Sequence, residues 1–424
     1  MIVLSGAELV LPDRILSPGT LVIDEGRILE IRSGGPAGGP ASSFAFHGHY
    51  IVPGFIDVHV HGIEGIDSLG AGDPVAAIAD RLPRFGVTAF CPTTVACAPA
   101  ALRRVLEQVR RAREAPDSRA ARVLPAHLES NFISAEYRGA QPDICLRNPR
   151  AALQRAQGTG QRAQGTGQRA EGTGHSAEGT EQPEFDGADI LREIERGAPD
   201  IGIVTIASEI EGGLELVAWL TSRGLRVSLG HSGASYDEAL AAIAAGARHA
   251  THLFNRMPPL DHRRPGLAGA ILQAEEVAAE IICDGVHVHP AIVRTAVTAK
   301  RPSGIMAITD GTAAAGLPAG SRAALGDQAI TVGDSAAFLA DGTLAGSILT
   351  MDRAFEMLVS RIGLSPVDAA TMCATTPARQ LGLVGHGVIA TDAVADLVVL
   401  DAHFTVVQTY VAGRLVYNRQ ILKS

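Results

Sequence analysis

The feature that most constrains the fold is a repeated alternation of apolar strand-like runs with helical segments through the middle of the chain. These runs occupy residues 53–62, 87–90, 122–128, 201–207, 225–229, 249–253, 277–283 and 305–309. Strands that alternate with helices of about ten to fifteen residues are typical of a parallel sheet. Seven or eight such units over roughly 300 residues predict a closed α/β barrel of the (β/α)8 TIM type. No glycine-rich phosphate motif opens the series, which counts against a dinucleotide-binding fold.

Both ends of the chain have a different character, because short β-branched runs and turns replace the alternation. Such runs lie at 2–4, 19–23 and 27–31, and again at 395–401, 406–411 and 415–417. Chain termini often lie close together. The sequence therefore predicts a small β-sandwich domain, built from residues 1–52 and 378–424, beside a catalytic barrel of residues 53–377.

One segment does not fit the barrel pattern. From residue 154 the heptapeptide QRAQGTG is repeated, with small changes, four times. Each unit offers little apolar surface, and burial of that surface cannot offset the entropy lost on ordering. We therefore expect a low-complexity, disordered insertion at about 150–184, and His175 inside it is a poor candidate for a metal ligand.

Composition narrows the setting in which the protein works. The formal charge of -9 argues against nucleic acid and acidic membranes as partners. No apolar run approaches the ~20 residues that a membrane span needs, and the N-terminus lacks the pattern of a signal peptide. The five cysteines are scattered and odd in number, as expected for reduced thiols in a cytoplasmic protein.

Polar residues follow several of the predicted strands. His59 and His61 are two residues apart, so a strand presents both imidazoles on one face. Four further residues end later strands: Glu129, His231, His252 and Asp310. Active sites of such barrels lie at the carboxyl ends of the strands. Imidazoles and a carboxylate collected there predict a divalent metal site, with Asp310 as general acid or base. Glu209 and His249 fit ordinary hydrogen-bonding roles equally well.

Eight motifs carry a resemblance to a known family. They are PGFIDVHVHG (53–62), HLE (127–129), GHS (230–232), ATHLFNRM (250–257), RPGLAGA (264–270), ICDGVHVHP (282–290), ITD (308–310) and DGTLAGS (341–347). By these motifs the chain resembles the amidohydrolase superfamily and, within it, the N-acetylglucosamine-6-phosphate deacetylases. The resemblance implies a metal-dependent hydrolase that converts N-acetylglucosamine 6-phosphate into glucosamine 6-phosphate and acetate.

The resemblance also implies roles for individual residues. Glu129, His231 and His252 would bind the principal ion, His59 and His61 a second ion bridged by Glu129, and Asp310 would be the catalytic acid–base. Substrate contacts would come from Ala140, Gln141, Asn255, Arg256, Arg263, Asp284, His287, Leu344, Ala345 and Gly346. The family holds the phosphate partly with a second subunit, which implies a homodimer. The one or two ions could be Zn, Fe, Mn or Co.

Two departures from the family pattern concern the substrate side. Ser130 and Asn131 stand where the family has Gly-Pro, and Gln141 replaces a histidine that contacts the substrate carbonyl. Gln can donate a hydrogen bond but cannot carry the charge of an imidazolium. Three alternatives therefore stay open: another N-acyl sugar phosphate such as N-acetylgalactosamine 6-phosphate, a weakened sugar-phosphate-binding homologue, or an amidohydrolase with a modified bridging lysine. The last is disfavoured because the first lysine in the chain is Lys300.

Overall fold

The computed structural model describes residues 1–34, 43–156, 158 and 185–419. Its centre is a parallel barrel of eight strands, each followed by helical connections. The barrel strands are β1 (Phe55–Val60), β2 (Val87–Thr94), β3 (Ala126–Glu129), β4 (Ile201–Ile206), β5 (Arg226–Leu229), β6 (His249–Ala250), β7 (Ala278–Ile282) and β8 (Ile305–Ile308).

Neighbouring barrel strands pair in parallel along the whole series from β1 to β8. The ring closes between the ends of β8 and β1, where Asp310 N donates to His59 O at 3.0 Å and His61 N donates to Gly311 O at 2.8 Å. All residues of β1, β2 and β7 are buried, as expected for strands covered on both faces. The predicted (β/α)8 barrel is confirmed.

Helices cover the outside of the barrel. They are α1 (Pro74–Arg81), α2 (Pro99–Glu114), α3 (Pro149–Ala156), α4 (Gly187–Gly197), α5 (Gly213–Ser222), α6 (Tyr236–Ala244), α7 (Gly266–Gln273), α8 (Pro290–Lys300), α9 (Met351–Glu356), α10 (Pro366–Ala370) and α11 (Thr376–Gln380). Short 3₁₀ turns lie at Leu82–Phe85, Asp143–Cys145, Ala198–Asp200 and Pro302–Gly304, and π turns at Met357–Arg361 and Thr371–Thr375. None of the described helices combines the length and apolar character that a bilayer crossing requires.

The predicted start of the insertion needs correction. Residues 150–156 belong to α3, because Ala152 and Leu153 are buried in the barrel core cluster and hold this segment helical. The remainder of the expected insertion, apart from Gly158, lies outside the described residues, and His175 lies there too.

Strands from both ends of the chain form one hydrogen-bonded sheet. Its members are Ile2–Val10, Ile15–Asp24, Arg27–Ser33, Ser43–Ala45, Tyr50–Pro53, Leu397–Leu400, Val406–Val411 and Arg414–Asn418. A separate core that includes Leu4, Leu21 and Tyr410 packs against it. The two ends of the chain thus share a sheet as predicted, while the division at residues 52 and 378 stays a prediction.

A buried carboxylate ties this sheet to the barrel. Asp396 accepts hydrogen bonds from Arg122 Nη1 and His386 Nδ1, both at 2.9 Å, and from Ala412 N at 2.7 Å. Arg122 lies in a short strand, Arg122–Val123, which pairs with β2. Although burial alone would raise the pKa of Asp396, these partners lower it below its usual value.

Three short strands cover part of the barrel mouth. They are Arg322–Leu325, Gln328–Val332 and Ala337–Phe338, and they form an antiparallel sheet. Leu325, Ile330 and Val332 pack with Val95 and Ala345 in a small apolar cluster. A two-stranded ribbon, Gly62–Ile63 with Ile66–Asp67, follows β1.

Candidate metal centre

The polar residues predicted at strand ends meet at the carboxyl end of the barrel. His59 lies in β1, and Glu129 is the last residue of β3. The remaining residues lie within two positions after β1, β5, β6 and β8; in that order they are His61, His231, His252 and Asp310. All six side chains are buried or nearly so: His59, His61, Glu129, His231, His252 and Asp310. Parallel strands of a barrel bring their carboxyl ends together, and this is what collects residues so distant in sequence.

Glu129, His231 and His252 form a first group of donor atoms, here named the Glu129 cluster. Glu129 Oε1 lies 2.9 Å from both His231 Nε2 and His252 Nε2, and the two nitrogens are 3.1 Å apart. Burial alone would raise the pKa of Glu129, but the neighbouring imidazoles, led by His231 and His59, keep it well below its usual value. Glu129 is therefore a carboxylate at neutral pH.

His59, His61 and Asp310 form a second group, here named the His59 cluster. The two Nε2 atoms are 3.2 Å apart, and Asp310 Oδ1 lies 3.3 Å from each of them. Glu129 also faces this group, since its Oε1 is 3.6 Å from His59 Nε2 and its Oε2 is 3.4 Å from His61 Nε2. The Glu129 carboxylate thus lies between the two clusters and can serve both.

Electrostatics within the His59 cluster are strongly coupled. Burial lowers the pKa of both imidazoles, but nearby carboxylates outweigh it and raise the pKa to about 9 for His59 and about 10 for His61. For Asp310 the balance is reversed: burial raises its pKa, while His59 and His61 bring it below the usual value. The carboxylates therefore favour positive charge at the two imidazoles, which either protons or a bound cation can supply.

The donor chemistry fits divalent ions. Nitrogen and oxygen ligands bind such ions at about 2.0–2.2 Å, so ligand atoms that share one ion lie roughly 3 Å apart. Spacings of 2.9–3.3 Å within each cluster match this requirement. In the described part of the chain, all ion pairs of Glu129 and Asp310 involve imidazoles, and neither carboxylate has a Lys or Arg partner. Both clusters could therefore hold a cation.

Three residues of the centre have an unusual backbone conformation. The φ angles of His231, His252 and Asp310 are +47°, +28° and +49°. Side chains other than Gly rarely occupy this region, and such residues typically cost about 1–3 kcal/mol each. Backbone hydrogen bonds stabilise two of the turns: Ser134 N donates to His231 O at 3.0 Å, and Ser347 N donates to Asp310 O at 2.9 Å. The fold holds strained turns in place to aim these side chains inward.

Two of the four imidazoles are anchored through Nδ1. His231 Nδ1 lies 2.9 Å from Tyr137 O, and His59 Nδ1 lies 2.9 Å from Glu280 Oε2.

Sequence reasoning missed Glu280, which is fully buried in β7. A signal was present, because a lone Glu in an apolar strand is buried only when it is paired. His249, left open by the sequence, contacts Glu280 Oε1 at 2.9 Å, and Glu209 accepts from Ser232 Oγ at 2.6 Å.

A cavity of about 330 Å³ opens onto both clusters. Its volume suits a small ligand, since such pockets usually measure ~300–1,000 Å³. Its lining includes the predicted substrate residues Ala140, Gln141, Asn255, Arg256, His287, Leu344 and Gly346, together with Val95, Phe254 and Leu325, which the sequence did not single out. Polar and cationic groups thus share the cavity with an apolar wall.

Three predicted substrate residues do not line this cavity. Asp284 contacts the lining only through His287, whose Nδ1 donates to Asp284 Oδ2 at 2.6 Å. Ala345 is buried in the small apolar cluster beside Val95. Arg263 borders a separate surface cavity of about 750 Å³, with Tyr236 and Asp261.

The residues that depart from the family pattern have clear partners. Gln141 donates through Nε2 to Glu129 Oε2, and its Oε1 accepts from Ala96 N at 2.7 Å. Ser130 Oγ donates to Thr205 O at 2.6 Å, and Asn131 Nδ2 donates to Cys97 O at 2.9 Å and Cys145 O at 2.7 Å. Gln141 therefore belongs to the carboxylate's surroundings, while Ser130 and Asn131 anchor the loop after β3.

Comparison with known proteins agrees with these observations. Residues 209–416 match the amidohydrolase family. N-acetylglucosamine-6-phosphate deacetylase of Rattus norvegicus is 35% identical over 422 residues, covering 96% of this chain and 90% of the relative. N-acetylgalactosamine-6-phosphate deacetylase of Escherichia coli O157:H7 is 31% identical over 372 residues, covering 86% and 87%. A Mycobacterium smegmatis N-acetyl-D-glucosamine-6-phosphate deacetylase mutant, solved with N-acetyl-D-glucosamine-6-phosphate, has a TM-score of 0.83, 31% identity, and coverage of 98% and 99%.

Proposed function

The chain belongs to the amidohydrolase family and, within it, to the N-acetylglucosamine-6-phosphate deacetylases, and from this membership we propose how its metal centre and cavity act. The chain is a hydrolase that converts the acetamide of N-acetylglucosamine 6-phosphate into the amine of glucosamine 6-phosphate and acetate. The proposal concerns the residues that perform this reaction, the ions they hold, and the assembly in which they work.

The observation that carries the proposal is the pair of donor clusters that share Glu129 at the base of one cavity. The Glu129 cluster would hold the principal ion and the His59 cluster a second ion, each Zn, Fe, Mn or Co. When bound, a divalent ion supplies Lewis acidity, since it lowers the pKa of water towards ~7 and polarises a carbonyl.

Asp310 would move the protons of the reaction. Two carboxylates line the cavity, Glu129 and Asp310, and Glu129 already contacts two imidazoles and accepts a hydrogen bond from Gln141. Asp310, deprotonated at neutral pH, would accept a proton at Oδ1 as water attacks the acetamide carbon. It would then deliver that proton to the nitrogen as the C–N bond breaks, which yields acetate and the free amine.

The substrate phosphate would bind at the cationic part of the cavity. Arg256 and His287 line it together with Asn255. A guanidinium can grip a phosphate through two hydrogen bonds. Asp284 would orient His287 through the contact at Nδ1, which leaves the other ring nitrogen for the ligand.

We also propose that the enzyme works as a homodimer in the cytoplasm. Arg263 lies away from the cavity of its own subunit, and the family resemblance assigns part of the phosphate site to a second subunit. All five cysteines are free and buried, in keeping with a reducing compartment.

A panel of substrates tests the proposed activity. The protein, loaded with Zn²⁺, is assayed for acetate release from N-acetylglucosamine 6-phosphate, its galactosamine epimer, and unphosphorylated N-acetylglucosamine. We expect the highest kcat/KM for N-acetylglucosamine 6-phosphate. A preference for the galactosamine epimer would replace the proposed substrate, and acetate release from none of them would overturn the proposed reaction.

Mixed dimers test the assembly. Arg263→Ala and Asp310→Asn chains are each poorly active by the proposal, but a hybrid contains one site with an intact Asp310 and a partner that supplies Arg263. Co-refolding the two variants should restore activity above that of either parent. A monomer in sedimentation analysis, or no gain on mixing, would exclude the shared phosphate site.

A further inference from the structure

A buried carboxylate beneath the metal centre has no role in the reaction described so far. Glu280 lies in β7, and its side chain is fully buried. Its ion pairs, within the part of the chain that the structure describes, involve only imidazoles: His59 and His249, each at 2.9 Å, and His127 at 3.5 Å. A buried charge without a guanidinium or ammonium partner is costly. Interactions of this carboxylate must therefore offset the cost of burying it.

The two carboxylate oxygens face different neighbours. Oε2 lies 2.9 Å from His59 Nδ1 and accepts from His252 N at 3.2 Å, whereas Oε1 lies 2.9 Å from His249 Nε2. The backbone carbonyl of Glu280 also accepts from Leu253 N at 2.8 Å. Glu280 thus touches a side chain of the His59 cluster and the backbone turn that carries His252 of the Glu129 cluster.

The contact at Nδ1 decides which His59 nitrogen faces the cluster as a lone pair. When Nδ1–H donates to Glu280, the neutral imidazole keeps its lone pair on Nε2, the atom that lies 3.3 Å from Asp310 Oδ1. A carboxylate partner also raises the basicity of a ligating imidazole. By contrast, His61 Nδ1 and His252 Nδ1 are buried without a hydrogen-bond partner among the described residues.

His127 does not compete for this carboxylate. Its Nδ1 lies 3.0 Å from Val58 O and its Nε2 lies 2.8 Å from Thr205 Oγ1, so both ring nitrogens have nearer partners. The charge of Glu280 is therefore directed at His59 and His249.

We propose that Glu280 is a positioning residue of the deacetylase, which fixes the tautomer and orientation of His59 and thereby sets the affinity of the His59 cluster for its ion. The inference rests on the proposed metal centre, but its test measures ion binding and needs no substrate. Failure of the catalytic proposal would appear separately, as absence of acetate release by the wild-type protein.

The test compares Glu280→Gln with His59→Asn and with a control, His249→Gln. In Glu280→Gln an amide oxygen can still accept from His59 Nδ1, but the charge is lost. His249→Gln changes the partner of Oε1 and leaves the contact with His59. Stripped protein is titrated with Zn²⁺ against a chromogenic chelator, bound ions are counted by elemental analysis, and unfolding is followed by urea titration.

We expect the wild-type protein to bind two ions. In Glu280→Gln the affinity for one of these ions should fall at least tenfold, in line with the 10–100-fold loss of metal affinity typical when such outer partners are mutated. His249→Gln should keep both affinities. The double variant Glu280→Gln/His59→Asn should bind ions as His59→Asn does, because Glu280 acts through His59.

Several results would overturn the proposal. The first is an affinity of Glu280→Gln for the second ion that stays within threefold of wild type, and the second is an equal loss of that affinity in His249→Gln. The others are a loss of affinity in the double variant that equals the sum of the two single losses, and a wild-type protein that binds only one ion. Should Glu280→Gln fail to fold, Glu280→Asp replaces it, because the shorter carboxylate keeps the charge while lengthening the contact with His59. We then expect an intermediate affinity, and wild-type affinity would contradict the inference.

Discussion

Replacement of Asp310 by Asn is the sharpest test of the proton path. The change keeps the size of the side chain and an oxygen beside His59 and His61, but an amide cannot accept a proton at working pH. General acid–base catalysis contributes about 10²–10⁴-fold, which corresponds to roughly 2.7–5.4 kcal/mol of barrier at about 1.36 kcal/mol per factor of ten. We expect kcat to fall by that factor, with substrate binding and folding retained.

The assay follows acetate release at saturating substrate and Zn²⁺, so that a weakened ion site does not imitate a lost base. Wild-type activity should fall on acidification as Asp310 takes up a proton, and because the pKa of Asp310 is below its usual value, this loss lies in the acidic range. In Asp310→Asn the acidic side of the pH–rate profile should change. Asp352→Asn is a matched control, since Asp352 is buried, accepts from Thr350 Oγ1 at 2.6 Å and lies outside the cavity lining. More than roughly a tenth of wild-type activity in Asp310→Asn would refute the role of this residue.

Three further predictions concern ions, the repeats and stability. Glu129→Gln should lose both ions and all turnover, whereas His59→Asn should lose one ion by elemental analysis; loss of both in His59→Asn would reverse the ranking of the clusters. Deleting residues 160–182 and joining the flanks with a Gly/Ser linker should leave activity and melting temperature nearly unchanged, since the repeats lack a hydrophobic pattern; a large drop in either would show that they pack on the barrel. Asp396→Ala should lower the free energy of unfolding by about 3 kcal/mol in urea titration at pH 7, because its partly buried partners Arg122 and His386 lose their buried carboxylate. Asp13→Ala, in an exposed ion pair, should change it by less than about 1 kcal/mol.

The pKa of Asp396 adds a pH dependence to its stabilising role. Because the folded-state pKa lies below the usual ~3.9, the group stabilises the fold above that value and loses its contribution as pH falls through the folded-state pKa. The stability gap between wild type and Asp396→Ala should therefore narrow in acid. A gap that stays constant down to acid pH would show that the carboxylate's charge is not what stabilises the junction between sheet and barrel.

The barrel and the identity of the clustered residues were predictable, since both follow from patterns that repeat along the chain. Strands alternate with helices, and His59, Glu129, His231, His252 and Asp310 each stand at a strand end, where barrel topology brings them together. What the pattern could not give is the partner of each side chain. Loop geometry determines the hydrogen bond from Gln141 to Glu129 Oε2 and the position of Arg263 away from the cavity. Loops have no sequence periodicity from which such contacts could be predicted.

Glu280 and α3 were missed for different physical reasons. Glu280 stands in the middle of an apolar strand, and its neighbours His59 and His249 lie 221 and 31 residues away in sequence, respectively. The helix Pro149–Ala156 runs directly into the repeats, whose composition hid the apolar pair Ala152 and Leu153. In both cases tertiary packing supplied the information that local sequence lacked.

We propose that the deacetylase reaction at the strand ends depends on bound ions, and one measurement tests this claim directly. Protein stripped of metal by a chelator is assayed for acetate release from N-acetylglucosamine 6-phosphate before and after stepwise addition of Zn²⁺, with bound ions counted in the same samples. We predict no release from the stripped protein and recovery that follows ion occupancy. Full activity without bound ion, or none in protein that has bound two ions, would contradict the claim.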